Sequence, residues 1–331
     1  RQADISCYDL VNMQYTSGTT GFPKGVMLSH FNIGNNGFWI GENQRLGAAD
    51  RVCVPMPLYH CFGCVLGMMA TMTHGSTLVV LEKPDPLHIM TALESESCTA
   101  LYGVPTTFIG ILNHREFRTF DYSRLRTGIM AGSPCPVETM RSVIDKMNLK
   151  EITICYGLTE GSPVITQTTV DDSLHCRTAT VGRPMPEIEV KLVNPETNAT
   201  VPTGTQGEVC CRGYNVMLGY FNLPGETAET IDKDGWLHTG DVGIIDSKGY
   251  LSITSRYKDL IIRGGENISP REIEEFLHGI EGIIDVQVVG VQSRVYGEEV
   301  GAFIILADGC EYSATDIRAM CRAKISRFKI P

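Results

Sequence analysis

The 331-residue chain is 43% apolar and 20% charged, an ordinary globular composition with enough length for two domains or for one large domain with an appendage. A net charge of −10 argues against nucleic acid as a bulk electrostatic partner, and no stretch approaches the length of a membrane span. Any anionic ligand must therefore be held by local donors and single cations. Twelve cysteines, scattered through apolar runs such as Val209-Cys210-Cys211, fit a reducing intracellular compartment better than a disulfide framework. The cytoplasm is the simplest such compartment, with an organelle left open. His60-Cys61-Phe62-Gly63-Cys64 lacks the second ligand pair that a zinc site normally needs. The chain runs from Arg1 to Pro331 without an initiating methionine or a tail, so it reads as a fragment, and any targeting peptide would lie upstream of it.

In chain order, Tyr15 to His30 reads YTSGTTGFPKGVMLSH. Its hydroxyls and glycines allow a turn that exposes backbone N–H groups to a polyphosphate, with Lys24 as countercharge; a flexible surface turn is the plain alternative. The spacing is not that of a P-loop. Asn32 to Gly41 is rich in Asn and Gly for a helix, and Arg51 to Pro55 is a short strand. Pro55 to Met72 begins as a proline loop and continues as an all-round apolar, buried helix, with His60 at the junction.

From Gly75 onward strands alternate with helices. STLVVL, TALYGV, RTGIMAGSP and ITICY read as strands, PLHIMTALESES and PTTFIGIL as helices, and Val137, Met140, Ile144 and Met147 mark one helical face. Such alternation predicts a parallel or mixed sheet covered on both sides, with ligands at the carboxyl ends of its strands. Gly132-Ser133-Pro134 and the turn after ITICY fall at such ends. From Thr180 the texture changes to TVGRPMP, EIEVKLV, GEVCCRG and VMLGYF, a small β subdomain over about 180–257. Ser269, Pro270 and Glu272 predict a capping box at the start of a helix whose buried face is Ile273, Phe276, Leu277 and Ile280. DVQVVGV and EEVGAFIIL read as two further strands, followed by a helix near Asp316 to Lys324.

Five segments in this order, TSGTTGFPKG, the PLYHCFG segment, YGLTEGSPV, HTGD and SRYKDLIIRGGENISPREIEEFL, resemble the adenylate-forming enzymes, the superfamily of acyl-CoA synthetases, luciferases and peptide-synthetase adenylation domains. Phe22 departs from the small or polar residue of that pattern. RGYNVMLGYF and IIRGGENISPREIEEFL are most similar to medium-chain fatty-acyl-CoA synthetases. The resemblance implies an α/β large domain of mixed sheets covered by helices (1–257), with the β subdomain inside it, followed by a small, incomplete, mobile α+β domain (258–331).

It further implies an ATP-dependent ligase that activates a fatty acid as acyl-AMP and passes it to CoA, with Mg2+ as cofactor. Thr16, Ser17, Gly18, Thr19, Thr20, Gly21 and Lys24 would grip the β- and γ-phosphates. Gly132, Ser133, Tyr156 and Gly157 would receive the adenosine, with Tyr156 stacked on adenine. Thr159 would contact the α-phosphate and Glu160 the magnesium ion, while Asp241 and Arg256 would reach the ribose. Lys258 would be the hinge, and Gly264 and Gly265 would line the pantetheine path unless they simply form a positive-φ turn. His60 would gate an acyl pocket walled by Val104 and Val164, a structural histidine being the alternative. An adenylating enzyme with a different acceptor and a non-catalytic nucleotide-binding relative are the rival readings. The chain stops just where the family continues toward a lysine that supports adenylation, so these 331 residues alone are expected to adenylate poorly.

Overall fold

The computed structural model describes residues 4–16, 23–133, 135–256, 259–264, 266–322 and 324–331. The chain divides into two compact units, residues 1–239 with 244–252, and residues 240–243 with 253–331.

The first unit opens with β1 (Leu10–Thr16) and β2 (Lys24–Ser29), antiparallel in a register that sets Thr16 opposite Lys24. Ser29 then caps α1 (His30–Asn43) in a full capping box with Asn32. The Asn- and Gly-rich composition that counts against a helix here is overruled by tertiary structure. Ile33, Gly37 and Ile40 lie on the buried face, where a Cβ on Gly37 would fall 2.6 Å from that of Met69.

There follow β3 (Arg51–Val54), a π-helical segment Phe62–Met69 that runs into α2 (Ala70–Thr73), β4 (Thr77–Val80), α3 (Pro86–Ser95), β5 (Ala100–Gly103), α4 (Pro105–Leu112), β6 (Thr127–Met130), α5 (Val137–Lys146), β7 (Glu151–Gly157), β8 (Val164–Gln167), α6 (Leu174–Ala179) and β9 (Arg183–Pro184). Their strands form one seven-stranded sheet, ordered β4-β3-β5-β6-β7-β8-β9. It is parallel from β4 to β7 and antiparallel from β7 to β9. Every residue of β5, β6 and β8 is buried, which is why these strands read as unbroken apolar runs rather than alternating ones. On α5 the fully buried side chains are Met140 and Val143, with Met147 just beyond the helix, so the inward face includes Val143 in place of Ile144.

The amino ends of the strands are tied by charge. Arg126 bonds both Asp50 oxygens (2.7 and 3.1 Å) and Glu151 (2.7 Å), and Thr99 donates to Asp50 at 2.7 Å. The carboxyl ends of β3, β5, β6 and β7 lead to His60, Val104, Gly132 and Tyr156 respectively.

The β-rich region contains β10 (Ile188–Val193), β11 (Gly207–Gly213), β12 (Gly219–Tyr220), α7 (Pro224–Thr230), β13 (Leu237–Ile245) and β14 (Leu251–Arg256). A four-stranded sheet is ordered β10-β11-β13-β14, and the division between the units passes through β13 and β14. Two of the segments expected in this subdomain belong elsewhere. TVGRPMP supplies β9 to the large sheet, and VMLGYF supplies β12, which pairs with β2 through Gly219↔Met27 and Tyr220↔Val26.

The second unit carries β15 (Ile261–Arg263), β16 (Glu266–Ile268), α8 (Pro270–His278), β17 (Ile283–Ser293), β18 (Gly297–Leu306) and α9 (Ala314–Cys321). Its antiparallel sheet is ordered β16-β15-β18-β17 and packs Val286, Val288 and Val300 with Ile273, Leu277 and Ile317 of the helices. β15 and β16 pair antiparallel with Arg263 opposite Glu266, and Gly264 takes a φ of +60°. The expected capping box on α8 does not form. The Ser269 hydroxyl donates to the Thr254 carbonyl, and Glu272 pairs with Lys329 at 2.6 Å.

Candidate active site

The carboxyl end of β7 delivers a group of chemically capable side chains. Tyr156 is half-buried opposite Thr166, and Gly157 opposite Val164. A Cβ at Gly157 would lie 1.8 Å from the Pro163 carbonyl oxygen, so only glycine allows the strand to pass there. Thr159–Gly161 is a 3-10 turn, closed by Gly161 N–H on the Leu158 carbonyl (2.8 Å) and Ser162 N–H on that of Thr159 (3.1 Å). Buried Asn215 fastens the turn from outside, donating to the Gly161 carbonyl at 3.2 Å and accepting the Ser162 hydroxyl on its own carbonyl at 2.5 Å. Behind the turn, fully buried Asn36 of α1 bonds both backbone groups of Val164, donating to its oxygen at 2.8 Å and accepting its N–H at 3.0 Å.

Within this frame Glu160 is 9% exposed. Its Oε1 accepts the Tyr220 hydroxyl at 2.8 Å, and its backbone oxygen accepts Met217 N–H at 3.0 Å. Among the described residues no cationic side chain pairs with it. Burial, reinforced by the Glu160 charge and hydrogen bond, raises the Tyr220 pKa, so the phenol remains a donor at neutral pH. Lys24 places its Nζ 4.8 Å from the centre of the Tyr220 ring, a cation–π contact. The Thr159 hydroxyl is 3.5 Å from Cys61 Sγ, and burial drives that thiol up to about 11, with the Thr159 bond opposing and the Glu160 charge adding to the rise. Tyr220 thus touches both Lys24 and Glu160, while Thr159 rests against Cys61.

The other expected residues are more dispersed. Thr16 is half-buried at the end of β1; Ser17, Gly18, Thr19, Thr20, Gly21 and Phe22 lie outside the described residues, as do Lys258 and Gly265. Gly132, at φ +89°, and Ser133 are exposed, and a Cβ on Gly132 would meet Val104 Cγ1 at 3.1 Å. Val104 is half-buried against the main core, whereas Val164 is buried within it. His60 lies on the surface with its ring partly covered, which lowers its pKa; Nδ1 accepts Phe62 N–H at 3.1 Å. Asp241 and Arg256 both belong to the second unit, where a 2.6 Å ion pair joins them and Asp241 is 2% exposed. Gly264 is exposed and donates to the Tyr296 carbonyl at 2.8 Å. The sequence reading missed Tyr220, Cys61, Asn215 and Asn36. Tyr220 and Asn215 stand inside RGYNVMLGYF, a segment that carried resemblance without an assigned role.

An α/β sheet with an aromatic and a buried acid at the carboxyl end of a strand, and a lysine brought close to them from a second sheet, defines a candidate nucleotide-binding enzyme. The chain belongs to the AMP-binding enzyme family: residues 2–221 match the AMP-binding enzyme model, and residues 272–331 match the AMP-binding enzyme C-terminal domain. It is 53% identical over 323 residues to the protein named "Putative acyl-CoA synthetase YngI" of Bacillus subtilis (strain 168), covering 98% of this chain and 59% of that one. To the mitochondrial medium-chain acyl-CoA ligase ACSF2 of Bos taurus it is 45% identical over 335 residues, covering 100% and 54%. The fold matches ATP-bound MatB from Rhodopseudomonas palustris with a TM-score of 0.89 at 31% identity, covering 99% of this chain and 64% of that one. The chain spans a little over half the length of the curated relatives it matches. Among the described residues no helix is long and apolar enough to cross a membrane.

Proposed function

We propose that the chain carries the nucleotide-handling part of an ATP-dependent, AMP-forming acyl-CoA ligase acting on fatty, medium-chain acids. The observation that carries the reading is the turn after β7, where an aromatic ring, a hydroxyl and a buried carboxylate stand together beside Lys24. Relatives named acyl-CoA synthetase or ligase, matching over nearly the whole chain, support it.

In this reading the acid's carboxylate attacks the α-phosphorus of ATP, pyrophosphate leaves, and the thiol of CoA then displaces AMP from acyl-AMP. Tyr156 offers a face for adenine, with Gly132, Ser133 and Gly157 around it. Thr159 donates to the α-phosphate, while Lys24 and the Thr16–Gly21 loop hold the departing phosphates. Asp241 and Arg256 take the ribose. His60, Val104 and Val164 line the acyl path, Gly264 and Gly265 the pantetheine path, and Lys258 is the hinge. A single carboxylate that among the described residues meets only a neutral donor suits a hard divalent cation whose other ligands would be phosphate oxygens and water, so Glu160 fits Mg2+. The bound ion would neutralise phosphate charge. Catalysis is electrostatic and positional, since charge spreads over phosphate oxygens rather than onto a covalent partner. Twelve cysteines, all free thiols, suit a reducing compartment.

The test is pyrophosphate release by the complete gene product over acids of increasing length, with and without CoA. The reading expects release followed by acyl-CoA, with an optimum at medium length. Turnover to another acceptor without acyl-CoA would favour the alternative adenylating enzyme, and binding of ATP without turnover would favour a non-catalytic relative.

A further inference from the structure

Tyr220 sits where three separate pieces of the first unit meet. Its N–H donates to the Thr227 hydroxyl at 2.9 Å, and its strand is fastened to β2 by Leu218 N–H on the Met27 oxygen (2.9 Å) and Phe221 N–H on the Gly25 oxygen (2.8 Å). The same segment grips the turn after β7 twice, through Met217 N–H on the Glu160 backbone oxygen and through the phenol on Glu160 Oε1. Its ring face lies against Lys24. The lysine and the carboxylate are 136 positions apart in sequence by their numbers, Lys24 and Glu160, yet one side chain touches both.

The choice of donor matters chemically. A lysine or arginine against Glu160 would cancel the negative charge that a divalent cation needs. A phenol fixes the carboxylate by a charge-assisted hydrogen bond and leaves its charge intact, with Oε2 available to a cation. Such outer hydrogen bonds on ligating carboxylates typically govern metal affinity by ten- to a hundredfold. The ring also restrains the Lys24 ammonium without neutralising it, so the cation stays available to phosphate.

We infer that Tyr220 is a positioning residue of this site, tying the phosphate-binding Lys24 to the metal-binding Glu160 so that both charges are presented to one Mg2+–nucleotide complex. The inference rests on the functional reading above. It goes beyond it by assigning metal affinity to a residue that touches neither metal nor substrate.

The test uses the complete gene product with Tyr220→Phe, Tyr220→Leu and Glu160→Gln, and Mn2+ with ATP as probe. Free Mn2+ is followed by electron paramagnetic resonance, and adenylation is followed as pyrophosphate release against metal concentration. Tyr220→Phe should weaken Mn2+ binding in the presence of ATP, and raise the metal concentration for half-maximal adenylation, by about tenfold. The KM for the acid should stay within about twofold, and saturating metal should restore most of the rate, which it would not do for a folding defect. Tyr220→Leu should add a loss of ATP affinity that metal does not rescue. Wild-type metal dependence in Tyr220→Phe, alongside a large shift in Glu160→Gln, would overturn the role of Tyr220. Wild-type metal dependence in Glu160→Gln would instead overturn the reading of Glu160 itself.

Discussion

Asn36→Ala isolates a contact that organises the site from behind. The Asn36 amide bonds both the N–H and the carbonyl of Val164, at 3.0 and 2.8 Å, and all these groups are buried. Alanine leaves a backbone donor and a backbone acceptor without partners, at about 1–3 kcal/mol each, so we expect about 3 kcal/mol in total. In a domain of 150–250 residues, where 1 kcal/mol moves the midpoint by about 2–4 °C, Tm should fall by about 6–12 °C. Trp39 and Trp236 are the only tryptophans and both lie in the first unit, so tryptophan fluorescence during heating reports on that unit alone. Asn36→Asp is the sharper companion. Its carboxylate can still accept Val164 N–H but sets a buried negative oxygen against the Val164 carbonyl, so it should cost more than alanine at pH 7. Near pH 4 the protonated acid can donate again and the order should reverse. A loss below about 1 kcal/mol for Asn36→Ala, or an unchanged order of the two variants on acidification, would refute the reasoning.

Two further outcomes follow from other parts of the molecule. At the amino ends of the strands, burial alone would raise the Asp50 pKa, but its bonds to Arg126 and Thr99 outweigh that and lower it. A carboxyl group depressed on folding contributes stability that is present above its unfolded pKa near 3.9 and disappears as pH falls through the folded value. Urea midpoints measured from pH 5 to pH 3 should therefore fall for the parent protein and fall less for Asp50→Asn, itself destabilised by about 2 kcal/mol at pH 7. At the site, Lys24→Ala in the complete gene product should slow acyl-AMP formation by about a hundredfold. Thioester formation from supplied acyl-AMP should slow less than tenfold, and equal losses in the two half-reactions, measured by rapid quench, would contradict a role on the departing phosphates.

Much of the fold is legible in the sequence because parallel strands covered on both faces are simple apolar runs, and helices start at marks such as Pro105. The misreadings share a physical cause: a local pattern meets a stronger distant partner. Ser269 and Glu272 have the spacing of a capping box, but the Ser269 hydroxyl finds the Thr254 carbonyl and Glu272 finds Lys329. The asparagines of α1 weaken an isolated helix, yet Asn36 binds Val164, and Asn32 donates to the Val216 carbonyl at 3.0 Å. VMLGYF yields only a two-residue strand, and its pairing with β2 is a matter of register that the sequence does not carry. The residues proposed to act on a ligand sit in compact motifs such as YGLTE, whereas those that hold that turn, Tyr220 and Asn215, come from 54 to 60 positions away.

The two ends of the large sheet treat buried charge in opposite ways, and the contrast bears on why the site is built as it is. At the amino ends Arg126 gives buried Asp50 a countercharge and also bonds the half-exposed Glu151, and these pairs tie β3, β6 and β7 together. At the carboxyl end Glu160 is similarly buried but is held by a phenol and by backbone bonds, and Thr159 by a thiol contact. A buried carboxylate that no cation pairs directly is costly, and the cost falls when a cation arrives. The amino end thus pairs its buried charge within the fold, while Glu160 meets no cationic side chain among the described residues and would be free to meet the cation proposed above. Replacing Tyr220 with a cation would pair the Glu160 charge and set a second cation beside Lys24, so Mn2+ binding in the presence of ATP should be lost, and retained binding would refute the argument.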